Sequence, residues 1–316
     1  MAEDDFVLDT PFSLMNAYAN QGLTGYISSP RDRNIFLETQ RYQYFSESNY
    51  AGVGAGQRAL LFGHLCKVDP TAFGERQTTG DCVAHGSRNA RDMTRAVASL
   101  NGTQDFYKRG ALEPTYGARG HGGQGMAPAV ASKFERDVGF LSREKHGQID
   151  LSRYCSLGQE WGRGGVPEAV QKLCSEKQVG RITVCRTQNE LMDAMFNGYA
   201  AHSGQHAAWA AEPNSKNYHS RVSPGWNHDM AIGGYDDTKK HWPFRVWFLM
   251  QEWGKWNQPV KDWPADYPKQ VEGMIVVKDD DFQDCLDNSD CWVYGSIDGY
   301  PPQKLPDYGA IGKLNV

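Results

Sequence analysis

The chain has 316 residues, of which 40% are hydrophobic and 22% are charged, as in a soluble globular protein with one large or two modest domains. Its net charge of −5 supplies no broad basic surface, so nucleic acid is not expected as a partner. No stretch approaches the ~18 apolar residues that span a bilayer, and the first residues lack the pattern of a secretory signal. We therefore expect a cytoplasmic protein that makes no membrane contact.

The first half of the sequence is predicted to be mainly helical. Residues 1–70 mix polar, aromatic and glycine-rich stretches with little periodicity, and we expect them to form an N-terminal extension or docking arm. Helices are expected at about residues 34–44, 57–65, 82–100, 127–138, 166–176 and 188–197. The clearest one runs from Cys82 to Leu100, because apolar residues recur there at helical spacing before Asn101 and Gly102 end the pattern.

The second half is predicted to be rich in short strands. One β-like run, at residues 181–185, precedes the change, and the others lie at residues 229–235, 245–250, 273–277 and 291–296. Helices followed by strands predict an α+β fold with two packed halves. Residues 279–316 are expected to form a C-terminal extension that ends in an irregular tail.

The cysteines, histidines and acidic residues give no convincing metal site. Seven cysteines at irregular spacing do not fit a disulfide framework, so we expect reduced thiols. His202 and His206 have the spacing of zinc ligands on a helix, but Ser203 and Gly204 weaken that helix and no glutamate follows His202. The acidic run near residue 280 lacks the glycine and glutamate of a calcium loop. We predict no metal ion and no cofactor.

The segment from Gln77 to Gly86 places a cysteine at the predicted start of a helix. A thiol there lies at the positive end of the helix dipole, which lowers its pKa and favours the nucleophilic thiolate. The backbone N–H of Cys82 would face a developing oxyanion, with an upstream glutamine as the second donor. Asp81 opposes thiolate formation through its negative charge. The structural alternative is a buried cysteine, since free cysteine is among the most buried residue types.

Two later segments supply groups that suit a general base and its support. His228 opens an apolar run, so its imidazole is expected at the rim of a sheet, where a base has rigid support and one exposed nitrogen. An aromatic run ends in Gln251-Glu252-Trp253. A side-chain oxygen of Gln251 or Glu252 could accept the distal N–H of His228, while Trp253 shields the pair from water. The structural alternatives are a histidine at a strand end and a core strand with a polar end.

These three segments together resemble the catalytic signatures of the papain superfamily of cysteine proteases. Its members read Gln-Gly-x-Cys-Gly-x-Cys-Trp, then Asn-His-Ala before an apolar strand, then Asn-Ser-Trp-Gly. The chain has Gln77 to Val83, Asn227 to Gly234 and Gln251 to Gly254 at these places. The separation of Cys82 and His228 falls within the ~130–150 residues of papain-type enzymes. A glycine-rich run, Gly122 to Gly125, resembles the family's Gly-Gly segment.

The resemblance implies a papain-like domain over residues 71–278, with a helical lobe at about 75–200 that carries the cysteine helix and a β-rich lobe at about 200–278. It implies a thiol hydrolase that cleaves peptide or amide bonds of a peptide or protein substrate. Cys82 would be the nucleophile and His228 the acid and base. Gln77 would stabilise the oxyanion, and Gln251 would take the place of the asparagine that orients the histidine.

Four departures from the family pattern keep a second function open. Gln77 lies five rather than six positions before Cys82, Val83 replaces tryptophan, Gln251 replaces asparagine, and Gly80-Asp81 precedes the thiol. The alternative is a weakly active or inactive structural or assembly protein that retains the fold. The Gly-Asp-Cys-Val sequence and the extra segments are similar to those of cytoplasmic papain-fold proteins of bacteriophages and bacteria, which would make the chain a virion component. Assembly partners would then bind residues 1–70 and 282–316, and one of these segments would fill the cleft.

Overall fold

The computed structural model describes residues 25–39, 45–103, 107–223, 225–286, 290–297, 299–301 and 303. Within these ranges the chain forms nine α-helices and eleven strands. The helices are α1 (Pro30–Glu38), α2 (Leu61–Val68), α3 (Cys82–Leu100), α4 (Glu113–Gly117), α5 (Pro128–Asp137), α6 (Leu157–Gly164), α7 (Glu168–Cys174), α8 (Gln188–Phe196) and α9 (Asp279–Leu286). The strands are β1 (Arg58–Leu60), β2 (Lys145–His146), β3 (Ile149–Asp150), β4 (Ile182–Cys185), β5 (Ala201–Gln205), β6 (Ala208–Trp209), β7 (Arg221–Val222), β8 (His228–Asp236), β9 (Val246–Met250), β10 (Ile275–Lys278) and β11 (Cys291–Tyr294).

One antiparallel sheet of seven strands organises the second half of the molecule. Its order is β10–β9–β8–β5–β11–β4, and β1 pairs with the end of β8. Strand β8 is buried along all nine residues, because α3 covers it and three other strands pair with it. Gly234 lets β1 approach, since a Cβ at this position would come within 2.3 Å of the carbonyl oxygen of Ala59.

Helix α3 carries the predicted thiol across β8. It is buried from Cys82 to Ala98, so its charged side chains need buried partners. Arg91 Nη1, for example, lies 2.8 Å from Glu135 Oε1. Gly86 brings the helix close to the strand, because a Cβ there would lie 2.0 Å from Asp229 Oδ1. This crossing holds the start of the helix against the start of β8.

The predicted α+β, two-lobed architecture is confirmed. The helix from Cys82 to Leu100 is confirmed with the same limits. The helices predicted at residues 127–138, 166–176 and 188–197 and the five predicted strands lie within a few residues of observed elements, whereas α4, α6 and β5 have no predicted counterpart. The helix predicted at residues 34–44 lies earlier, at Pro30–Glu38, and residues 40–44 lie outside the described residues. The helix predicted at residues 57–65 is wrong in its first part, since residues 58–60 form β1 and pair with β8. Helix α9 was not predicted from its acidic sequence, although aspartates in a first helical turn are favoured by the helix dipole.

The two predicted extensions contribute to the folded body where the structure describes them. Strand β1 and helix α2, from the first 70 residues, lie beside β8 and α3. Strand β11, from the predicted C-terminal extension, pairs with both β4 and β5, so this part of the extension belongs to the sheet. Other parts of these extensions, residues 1–24, 40–44, 287–289, 298, 302 and 304–316, lie outside the described residues.

The structure describes the state of the cysteines and the length and polarity of the helices. All seven cysteines lie within the described residues and are free thiols, as predicted. None of the helices among the described residues combines the length and the apolar character needed to cross a membrane.

Replacing Gly234 with alanine should destabilise the fold. The added methyl group would strike the main chain of β1, which has no side chain to rotate away, so we expect the free energy of unfolding to fall by about 2–3 kcal/mol. Urea denaturation followed by fluorescence measures the change. The matched control is Gly164→Ala at the end of α6, where a Cβ meets no atom within 4 Å. Equal stability of the two variants would contradict the tight β1–β8 contact.

Candidate active site

The predicted thiol and imidazole lie at neighbouring ends of two packed elements. Cys82 is the first residue of α3 and His228 is the first residue of β8. The main chain of Asp229, the residue after His228, lies close enough to the Cys82 sulfur to lower the pKa of the thiol, although burial outweighs this effect. Both side chains are nearly inaccessible, with 1% of Cys82 and 2% of His228 exposed. The fold therefore brings the predicted thiol to the strand that begins with the predicted base.

Aromatic rings enclose His228. The Trp253 ring lies 4.5 Å from the imidazole at an interplanar angle of 36°, and Trp226 meets the imidazole edge-on at 6.4 Å. The shielding position predicted for Trp253 agrees with this ring contact. Burial in this setting lowers the pKa of His228 to about 3, because an imidazolium would lose its hydration. His228 is therefore neutral at pH 7 in this conformation.

The hydrogen bond predicted between His228 and Gln251 or Glu252 is not formed. Among the described residues, neither the Gln251 amide nor His228 Nδ1 has a hydrogen-bond partner, although all are buried. Glu252 turns toward α3, where its carboxylate accepts from Asn89 and lies 3.4 Å from Arg88 Nη2. Glutamine carries one methylene more than the asparagine of the family pattern, so its amide reaches a different place from the same backbone position.

Gln77, the predicted oxyanion donor, is held by local bonds. Its side-chain Nε2 donates to the carbonyl oxygen of Thr79 at 2.6 Å, and its Oε1 accepts from Trp253 Nε1 at 3.1 Å. The Gln77 amide therefore lies beside Trp253, whose ring contacts the His228 imidazole. Gln124, which was not predicted as a site residue, braces the thiol loop by accepting from Gly80 N at 2.6 Å.

An extended segment, residues 25–27, lies directly on the thiol. The backbone N–H of Gly25 donates to Cys82 Sγ at 3.3 Å. On one side, Gly25 O accepts from Met126 N at 2.8 Å and Ile27 N donates to Met126 O at 3.1 Å; on the other, Tyr26 N donates to Asn227 O at 3.1 Å. The 25–27 segment therefore bridges the helical wall and the β wall through main-chain bonds.

Only glycine fits at position 25, where the backbone N–H touches the sulfur. A Cβ on Gly25 would lie 2.0 Å from the carbonyl oxygen of Gly80, in the loop that precedes the thiol. No periodicity or motif marks this glycine in the sequence, because the need for it arises from a loop more than fifty residues away. The 25–27 segment is the part of the site that sequence reasoning missed entirely.

Burial and charge hold the thiol in its neutral form. Burial, followed by the negative charge of Asp229, raises the pKa of the Cys82 thiol above its ordinary range. Asp229 stands where the family pattern has alanine, and its carboxylate is paired with His202 Nδ1 at 2.8 Å. His202 and His206, which have the spacing of zinc ligands on a helix, do not share a helix, since His202 lies on a strand. The described residues contain no cluster suited to a metal ion.

Asp81 lies beside the thiol as expected, but its charge is weakened. Its carboxyl group is 1% exposed and accepts from the Tyr154 hydroxyl at 2.7 Å. Burial raises the pKa of Asp81 to about 7, and the Tyr154 bond only partly opposes this rise. Near neutral pH a large fraction of Asp81 is therefore protonated, which reduces its repulsion of a thiolate.

Comparisons with known proteins identify the fold. No protein-family model and no curated protein matches the chain. Xylellain, a cysteine protease from Xylella fastidiosa, matches with a TM-score of 0.58 and 12% identity, over 87% of this chain and 97% of that chain. The chain has the papain-like fold. The resemblance drawn from the three motifs is thereby confirmed for the fold.

Two further papain-like structures match less closely. Digestive procathepsin L 3 of Tenebrio molitor larval midgut gives a TM-score of 0.47 at 12% identity, over 89% of this chain and 86% of that chain. Procathepsin B S9 from Trypanosoma congolense gives 0.47 at 10% identity, over 89% and 88%.

Replacing Asp81 with asparagine should change how stability depends on pH. Because the pKa of Asp81 is raised in the folded state, the unfolded chain loses this proton first as pH rises from about 4 to about 7, and the wild-type fold weakens over that window. The difference in free energy of unfolding between Asp81→Asn and wild type should therefore change in favour of the variant by up to about 4 kcal/mol between pH 4 and pH 8. Urea denaturation at both pH values measures the gain.

The control is Asp262→Asn, at an exposed position. We expect its free energy of unfolding to differ from that of wild type by less than about 0.5 kcal/mol at either pH. A stability difference between Asp81→Asn and wild type that stays constant with pH would contradict a buried, protonated Asp81.

Proposed function

We propose that the chain is a papain-type thiol hydrolase that cleaves peptide or amide bonds, and that the conformation described here is its latent form. One observation carries the proposal: the groove beside Cys82 already holds an extended peptide segment through backbone groups of Met126 and Asn227. Main-chain bonds of this kind accept a peptide of almost any sequence. A substrate would use the same groups once the 25–27 segment has left.

The reaction follows from the groups around the sulfur. His228 takes the Cys82 proton, and the sulfur attacks the carbonyl carbon of the substrate amide. The resulting oxyanion faces the Cys82 N–H at the start of α3. His228 then gives its proton to the leaving amine as the C–N bond breaks. Water hydrolyses the thioester to release the acid and the free thiol.

The 25–27 segment contacts the sulfur through a backbone N–H, that of Gly25. The carbonyl oxygen of Gly25 is bound to Met126 N. The segment therefore covers the thiol through its main chain.

A second candidate function is an inactive papain-fold protein that serves in an assembly, such as a virion. The filled groove favours it, because this alternative expects residues 1–70 to cover the cleft. The unformed bond between His228 and Gln251 points the same way. The two functions differ in what happens when the groove is opened.

Replacing Gly25 with alanine should open the groove. The new methyl group would collide with the Gly80 carbonyl oxygen, so we expect the 25–27 segment to leave and Cys82 to react with iodoacetamide at pH 7 at least ten-fold faster than in wild type. Mass spectrometry of the digested protein assigns the label to its cysteine. Gly164→Ala is the matched control and should leave the rate unchanged. Reaction of Cys82 no faster than that of the buried Cys285 would contradict latency.

Hydrolysis should depend on the thiol. In the Gly25→Ala background we expect cleavage of a casein-derived peptide mixture, and the further change Cys82→Ala should lower the rate by at least a thousand-fold, because no other group forms the thioester. Cys155→Ala, which removes a more exposed thiol, is the control and should retain the activity. An opened groove with a labelled Cys82 but no cleavage, together with a stable multimer in light scattering, would favour the assembly function.

A further inference from the structure

The side chain of Tyr26 fills a narrow slot beside the thiol. Its ring lies over Gly204, where a Cβ would come within 2.3 Å of Tyr26 Cε2, and it meets the His206 ring at 5.3 Å. Pro128 lies on the same side, with its Cγ 3.1 Å from where that Cβ would stand. The slot therefore has the width of one aromatic ring, and the glycine in β5 makes room for it.

A single buried carboxylate closes the far end of the slot. The Tyr26 hydroxyl donates to Asp290 Oδ2 at 2.6 Å, and the Asp290 side chain is 1% exposed. The other oxygen, Oδ1, lies 3.5 Å from Arg33 Nη1. Since its charge is already opposed by an arginine, the carboxylate suits a neutral hydroxyl donor better than a second cation.

The slot belongs to the substrate groove by position. Tyr26 follows Gly25, whose N–H touches the sulfur, and its own N–H is bound to Asn227 O, just before His228. A side chain in the slot is thus one residue away from the residue at the thiol.

The walls of the slot do not depend on the 25–27 segment. Gly204 lies on β5, Pro128 begins α5, and Asp290 directly precedes β11, where its carbonyl oxygen accepts from Gly204 N at 3.0 Å. Arg33 lies on α1, which is anchored by Phe36 against Trp292 at 4.9 Å. The slot and its carboxylate therefore remain when the segment leaves.

We propose that this slot is a side-chain subsite that selects tyrosine in the substrate, with Asp290 as the specificity-determining residue. The inference rests on the proposed hydrolase function. Phenylalanine would fill the same volume but leave a buried carboxylate without its hydroxyl partner. A site built to bond a hydroxyl group discriminates strongly against the analogue that lacks it.

Fluorogenic peptides that differ in one residue test the preference on the full chain carrying Gly25→Ala. Because Tyr26 follows the residue at the thiol, tyrosine, phenylalanine, leucine or lysine is placed in turn at each of the two positions before and the two positions after the scissile amide. We expect kcat/KM for tyrosine to exceed that for phenylalanine at least ten-fold at one of these positions. Equal rates for tyrosine and phenylalanine, or a preference for lysine, would overturn the proposal.

Variants of the carboxylate provide the matched pair. Asp290→Asn keeps an oxygen acceptor at the same place, so the preference for tyrosine should persist. Asp290→Leu has similar bulk without an acceptor, so tyrosine and phenylalanine peptides should become equivalent within about two-fold. A tyrosine preference that survives in Asp290→Leu would assign the selection to another residue.

A measurement without turnover separates this proposal from the proposed function. In the otherwise unchanged chain, Tyr26→Phe removes only the hydroxyl, and we expect iodoacetamide to label Cys82 about ten-fold faster because the segment is held less tightly. An unchanged rate would show that Asp290 does not select a hydroxyl. If Gly25→Ala cleaves no peptide, the proposed hydrolase function and its subsite are both wrong. Faster labelling of Cys82 in Tyr26→Phe would then show only that the slot holds Tyr26 in place.

Discussion

The close crossing of α3 over β8 is the constraint on which the site depends. The helix begins with the thiol and the strand begins with the imidazole, so their separation is set by how near the two backbones approach. Gly86 permits contact with the Asp229 side chain at that crossing. A larger residue at position 86 would push the helix away from the strand, and the Cys82 sulfur would move with it. The buried Asp229 carboxyl group is hydrogen-bonded there to His202 Nδ1 at 2.8 Å, which gives this polar group a partner inside the fold.

The elements that carry the site could be predicted because their patterns are local. Helix α3 has an apolar stripe and a clear end, and β8 is a continuous apolar run, so both were found with nearly their observed limits. Strand β1 is only three residues long, and its pairing depends on Gly234, far along the chain. Such a strand is specified by its partner and not by its own sequence, which is why the pattern there predicted a helix.

The site residues divide in the same way, into those fixed by a local pattern and those fixed by distant partners. Cys82 and His228 follow from motifs that fix backbone positions. The bonds of Gln77 and Gln251 depend on side-chain length and on competing partners, which a motif does not contain: Gln77 binds Trp253 and Thr79. The role of Gly25 is set by the Gly80 carbonyl oxygen, so a single glycine in an irregular stretch gave no signal.

The anchoring of α1 has a consequence for how the groove opens. Phe36 keeps the helix packed on the sheet, so residues 25–27 remain tethered a few residues from their binding site after they detach. Short tethers of this kind give effective concentrations in the millimolar range. Any free peptide competes with the attached 25–27 segment, whose local concentration does not change on dilution. Relative affinity therefore decides whether the free peptide or the attached segment occupies the groove. The segment can rebind when the peptide leaves, because the chain has not been cut.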